Sequence, residues 1–209
     1  HSFLLMGKNF FSFQNGRSKK GEEAIGRRFG PWIGPPMPRI INSIKGIHWG
    51  LSADRLGNLY LGVIDRPSGG SIRSFDIYCS KYVNGQYHEP EKLPISINGS
   101  GRNFSPFISP DGSYIIFTRQ LGVDGEYTSR LFISYKQKDG AWTTAQEINE
   151  AKMEGKDLYY SNPYISPDGK YLFFLYFGRE VVNNSSIDTH YWVEASFIEK
   201  MRKKELRED

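Results

Sequence analysis

Apolar and polar positions along this 209-residue chain come in short bursts rather than at helical spacing. Three runs, Asn58–Ile64, Tyr114–Arg119 and Tyr171–Tyr176, are rich in aromatic and branched residues and bounded by Gly, Pro and Asp, the pattern of strands. A short pair precedes each across a turn: Gly50-Leu51, Phe107-Ile108 and Tyr164-Ile165. A second pair of strands follows. Phe75–Lys81 leads through Asn84-Gly85 into Tyr87–Leu93, and Arg130–Lys136 leads through Asp139-Gly140 into Trp142–Ile148. Asn-Gly and Asp-Gly supply the positive φ angles that tight hairpins need. The pattern predicts units of four short antiparallel strands.

The turns keep a period. Ser-Pro-Asp-Gly occurs at Ser109–Gly112 and at Ser166–Gly169, 57 residues apart, and a degenerate copy, Ser52-Ala53-Asp54, lies another 57 residues upstream, with Arg55-Leu56 where the motif ends. An Ile-Asn linker recurs at Ile41-Asn42, Ile97-Asn98 and Ile148-Asn149, and Gly30-Pro31-Trp32 is similar to Gly140-Ala141-Trp142. A fixed period of this size marks a repeat whose units bury their apolar faces against their neighbours. The divisions are 1–46, the tail of an earlier unit; 47–102; 103–160; 161–195; and a helical tail, 196–209, with Phe197, Ile198, Met201 and Leu206 apolar among Lys and Glu. Proline presets one corner of the turn, glycine takes the angle side chains resist, and the Asp carboxylate accepts local N–H groups. Recurrence once per unit assigns Asp111 and Asp168 to the turns rather than to catalysis.

The stretch Asn103-Phe104-Ser105-Pro106-Phe107-Ile108-Ser109-Pro110-Asp111-Gly112, followed by a strand ending Ile116-Phe117, resembles the repeat of TolB-type β-propellers. The Ile-Asn linker, the Asp-Gly-x-Trp hairpin and the closing Tyr191–Ile198 segment are similar to those of exported bacterial WD-repeat-like propeller proteins. The resemblance implies an all-β propeller, with about three and a half four-stranded antiparallel blades of a six- or seven-bladed ring present. At this period six blades need about 340 residues, so the remaining blades are expected in a further part of the polypeptide. It also implies a periplasmic or cell-surface location and a non-catalytic binding or scaffold role, with a protein or glycan as partner. Two alternatives are a carbohydrate lyase or hydrolase with its site in the channel, and the regulatory propeller of a prolyl-oligopeptidase-like peptidase.

Charge adds little to this picture. The net charge is +4, but residues 1–46 hold eight Lys or Arg against two Glu, and the rest hold nineteen against twenty-one acids. Arg17-Lys19-Lys20 and Arg27-Arg28 are short clusters, not the continuous basic stripe with aromatics that nucleic acid requires. No nucleic-acid partner is expected, and no apolar run is long enough to span a membrane. Cys79 is the sole cysteine, so no intrachain disulfide forms.

Chemistry is not prominent. Gly50-Leu51-Ser52-Ala53-Asp54 lacks the last glycine of a nucleophile elbow, and His1, His48, His88 and His190 are scattered without metal-ligand spacing. No catalytic residue, metal site or cofactor is expected. Used as a ruler, the period yields one candidate position. Counting back four residues from the repeat serine gives His48, Ser105 and Asn162, which either cap the entering strand or form part of a polar ligand ring around an axis.

Overall fold

The computed structural model describes residues 2–6, 9–13, 44, 46–65, 70, 72, 74–123, 126–151, 159–182 and 185–205. The fold is all-β, with one α-helix and a short 3-10 helix, Asn149–Ala151, among the described residues. Strands β1 (Ser2–Met6) and β2 (Asn9–Phe13) form an antiparallel hairpin. The remainder of the expected 1–46 segment lies almost wholly outside the described residues, as do the basic clusters at Arg17–Lys20 and Arg27-Arg28.

Three antiparallel units follow in chain order. Unit I runs β3 (Ile47–Ala53), β4 (Leu59–Asp65), β5 (Ser74–Ser80) and β8 (Glu91–Lys92), paired in that order. Between β5 and β8 a small hairpin, β6 (Tyr82–Val83) with β7 (Gln86–Tyr87), turns on Asn84 (φ 51°) and Gly85 (φ 81°). Unit II comprises β9 (Arg102–Ile108), β10 (Tyr114–Val123), β11 (Glu126–Tyr135) and β12 (Gln146–Glu147). Unit III comprises β13 (Tyr159–Ile165), β14 (Tyr171–Val182) and β15 (Ser185–Glu194). A single parallel bridge, Ser129 to Tyr159, joins units II and III into one seven-stranded sheet.

The fourth strands are shorter than the hydrophobic pattern predicts, for visible reasons. Pro90 precedes β8 and has no N–H to give to a ladder. In its place Ser80 Oγ donates to the His88 carbonyl at 2.6 Å. Unit II repeats the device: Ser134 Oγ donates to the Thr143 carbonyl at 2.7 Å, and Thr143 Oγ1 accepts the Tyr135 N–H at 3.0 Å. Side chains here satisfy backbone groups that a longer strand would have paired.

The core lies between units. Tyr60, Ile77 and Cys79 of unit I meet Ile108, Ile115, Phe117 and Phe132 of unit II. The opposite face of unit II, with Ile116, Leu131 and Ile133, meets Tyr160, Leu172 and Phe174 of unit III. Each fully buried Ile or Phe contributes about 1.5–3 kcal/mol, so face-to-face contact carries the stability. The linkers seal the edges. Ile97 and Ile148 are buried, and Asn98 Oδ1 accepts the Ile77 N–H at 2.8 Å while its Nδ2 donates to the carbonyls of Ile77 and Leu93. Helix α1 (Phe197–Glu205) sits at the end of the chain predicted to be helical. It buries Phe197 and Ile198 in the core shared by units II and III, and the Tyr135 hydroxyl donates to the Ile198 carbonyl at 2.8 Å. It therefore fastens unit II as well as unit III.

Candidate functional site

The first strand of each unit carries a bulge. In β9 the pairs Phe104–Thr118 and Phe107–Ile116 leave Ser105 and Pro106 facing the single residue Phe117. In β13 the pairs Ser161–Leu175 and Tyr164–Phe173 leave Asn162 and Pro163 facing Phe174. In β3 the pairs Trp49–Gly62 and Leu51–Leu61 leave Gly50 unopposed. All three bulged residues are left-handed: Gly50 at φ 68°, Ser105 at 49° and Asn162 at 52°. The prolines suit this place, because a bulge leaves one residue out of the ladder and proline has no N–H to lose.

The three bulges lie side by side. A Cβ placed on Gly50 would come within 2.9 Å of Ser105 Cα. Ser105 Oγ donates to Asn162 Oδ1 at 2.7 Å, and Ser161 Oγ donates to the same oxygen at 3.2 Å. Ser105 and Ser161 are buried and Asn162 is half-buried. Of the ruler's residues, Ser105 and Asn162 are thus brought into direct contact.

His48 is not at the equivalent position. The first strands end at Ala53, Ile108 and Ile165, paired with Leu59, Ile115 and Leu172. Counting back three from these ends gives Gly50, Ser105 and Asn162. His48 pairs with Val63, and its half-buried ring places Nε2 at 3.1 Å from the Ile44 carbonyl, which requires the proton on Nε2. The 57-residue ruler slips by two, because Ser52 stands one residue before the end of its strand whereas Ser109 and Ser166 stand one residue after theirs; the closing turn of unit I, 54–58, is also one residue shorter than 109–114 or 166–171.

That shorter turn also changes the role of its serine. Ser52 does not close the turn; its Oγ accepts the Ile108 N–H of unit II at 3.0 Å. Asp54 closes it instead, with Oδ1 accepting the N–H groups of Leu56 and Asn58 and Oδ2 accepting Asn58 Nδ2 at 2.8 Å. The two full motifs behave alike. Ser109 Oγ donates to Asp111 Oδ1 at 2.7 Å and accepts the Tyr114 N–H; Ser166 does the same with Asp168 and Tyr171. Burial pushes the Asp111 carboxyl up, but the Ser109 hydroxyl and Ser113 N–H outweigh it, leaving the group below the usual range. The Ser166 hydroxyl and Lys170 N–H hold Asp168 low in the same way. Both carboxylates are occupied within their own turns.

Beside the bulges, Arg119 is buried in unit II. Its Nε donates to Asn103 Oδ1 at 2.8 Å and its Nη2 to the Ile97 carbonyl at 2.7 Å, while the guanidinium lies 4.4 Å from the Phe132 ring centroid. Burial lowers its affinity for a proton. The arrangement ties the Ile-Asn linker to the first strand. Cys79 is buried against Tyr60, and burial raises its thiol, so the environment disfavours the reactive thiolate. Among the described residues no three His, Cys, Asp or Glu side chains converge as metal ligands, and no helix is long and apolar enough to cross a membrane.

The pattern missed two features. Gly50 was masked by the slipped ruler, although Ser-Pro at 105–106 and Asn-Pro at 162–163 mark the bulge directly. The other is an exposed aromatic group on unit III: Tyr171, Phe173 and Trp192 line an open cleft of about 230 Å³. No protein-family model matches the chain, and no curated protein matches it.

Proposed function

We propose that the chain is a non-catalytic binding or scaffold module built on a TolB-type β-propeller repeat, exported to the periplasm or cell surface. The partner is a protein or glycan held at the mouth of the channel where Ser105 and Asn162 meet. One observation carries this reading: the same bulged position of three successive units, Gly50, Ser105 and Asn162, stacks in direct contact. Radial repetition brings equivalent positions of successive units together around an axis. The strand order supports it, since the first strands β3, β9 and β13 are neighbours while the short fourth strands β8 and β12 lie at the far edge of their units. Hydroxyl and amide groups converging at such a mouth suit hydrogen bonding to sugars or peptide groups.

The test pairs discovery of the partner with removal of the site. Binding to an array of envelope glycans and to purified envelope proteins identifies a partner, and calorimetric titration compares the chain with its Ser105→Ala/Asn162→Ala variant. Affinity about tenfold weaker or more in a variant with unchanged circular dichroism is expected, equivalent to about 1.4 kcal/mol or more. Undiminished affinity would move the partner away from the bulges.

A further inference from the structure

The ladder rungs just before the bulges differ sharply between units. Counting back five from the strand ends Ala53, Ile108 and Ile165 gives three antiparallel pairs: His48 with Val63, Asn103 with Arg119, and Tyr160 with Tyr176. Units I and III place Val63 and Tyr176 where unit II places a cation. Arg119 is 8% exposed, yet it forms no ion pair among the described residues. Asn103 is fully buried, and its Nδ2 has no hydrogen-bond partner. A buried cation without an anion and a buried amide donor without an acceptor are both costly. Nothing in the repeat requires either, since units I and III dispense with them.

The linker over this pair differs from its counterpart as well. In Ile148-Asn149-Glu150-Ala151, between units II and III, Ala151 is buried in the core. The matching residues between units I and II are Ile97-Asn98-Gly99-Ser100, and Ser100 is exposed. A Cβ on Gly99 would stand 3.5 Å from Arg119 Nη2 and 3.8 Å from Cζ, so glycine leaves the guanidinium open from that side. The Phe132 and Phe117 ring centroids lie 4.4 Å and 5.4 Å from its central carbon. Nε and one proton of Nη2 are taken by Asn103 Oδ1 and the Ile97 carbonyl, while the second Nη2 proton and both on Nη1 remain. We propose that this is a binding site for a small organic carboxylate, held by the unused Nη1/Nη2 edge of Arg119 beneath Gly99. That edge matches a planar carboxylate with two parallel hydrogen bonds, and the flanking rings exclude the water that would weaken the pair. The site lies wholly within unit II and the linker leading into it, so it depends neither on further blades nor on a partner at the channel mouth.

Sodium acetate is the probe, titrated at constant ionic strength beside chloride and inorganic phosphate. The backbone amide resonances of Gly99 and Asn103 and the Arg119 Nε–H report occupancy. The expected result is saturation by acetate in the millimolar range, none by chloride, and binding of phosphate about tenfold weaker or more. Gly99→Val covers the guanidinium without changing its charge and should weaken acetate about tenfold or more, with circular dichroism unchanged. Arg119→Lys keeps the charge but loses the planar edge, and should bring acetate level with phosphate. Should Gly99→Val fail to fold, Arg119→Lys decides alone. Shifts that grow linearly for all three anions, phosphate equal to acetate in the parent, or acetate binding indifferent to either substitution would each overturn the proposal.

Discussion

Replacing Gly50 with alanine tests the stacking of the bulges directly. Two costs arise. The residue sits at φ +68°, and a side chain in left-handed backbone costs about 1–2 kcal/mol. The added Cβ would also stand 2.9 Å from Ser105 Cα, a backbone atom of the neighbouring unit. Two main chains must then part, at an overpacking cost of about 1–3 kcal/mol. The expected total is about 2–5 kcal/mol. Gly140 supplies the control: it has φ +87°, but a Cβ there meets nothing within 4 Å, so Gly140→Ala should cost only the backbone share, about 1–2 kcal/mol. Loss of glycine's freedom in the unfolded chain is common to both variants and cancels in the comparison. Urea unfolding followed by tryptophan fluorescence, with equal m values, reads the two free energies. Equal destabilisation of the two variants would mean that Gly50 does not abut Ser105, and the shared axis of the three units would lose its main support.

The linker asparagines should differ sharply. Asn98→Ala strands the buried Ile77 N–H, while the Ile77 carbonyl keeps the Leu93 N–H, and should cost about 1–3 kcal/mol in urea unfolding, whereas its repeat counterpart Asn149 is exposed and Asn149→Ala should stay within about 0.5 kcal/mol. Asp111→Ala should cost about 1 kcal/mol at neutral pH through loss of its turn bonds. The folded carboxyl of Asp111 titrates below its unfolded value. Its contribution is therefore present above about pH 3.9 and disappears as the pH falls through the folded value. Unfolding midpoints of parent and variant should converge between pH 6 and about pH 2, and a constant gap would assign the loss to something other than the carboxylate.

Turn chemistry was the most legible part of this chain, because it is local. Asn84-Gly85 was expected to turn a hairpin and does so with both residues left-handed. Ser-Pro-Asp-Gly was expected to hold its carboxylate within the turn, and Asp111 and Asp168 each accept a hydroxyl and a backbone N–H there. The helical tail was legible from apolar spacing, but not its reach onto unit II, which depends on Tyr135 and on Arg202, whose Nη2 donates to Ser113 Oγ at 2.9 Å. Such contacts join residues far apart in sequence, and no local pattern encodes them.

The candidate site shows where counting fails and what corrects it. Spacing was measured from a serine, and serine in unit I had moved: Ser52 bonds to the next unit, and Asp54 took over the turn. A carboxylate that accepts two N–H groups closes a shorter turn than serine and aspartate acting together, so one residue is lost without disturbing the hairpin. The ladder is less forgiving, because a shift of one residue exchanges the faces of a strand. Ala53, Ile108 and Ile165 therefore hold the true frame, each facing the first residue or two of the returning strand. Counted from them, the position before a proline in units II and III falls on a glycine in unit I, and left-handed backbone is what unites the three. Ser105 and Asn162 occupy one position because Ser109 and Ser166 both stand one residue past the end of their strands. His48 was chosen because Ser52 was taken for their equivalent, although it stands one residue before the end of its strand.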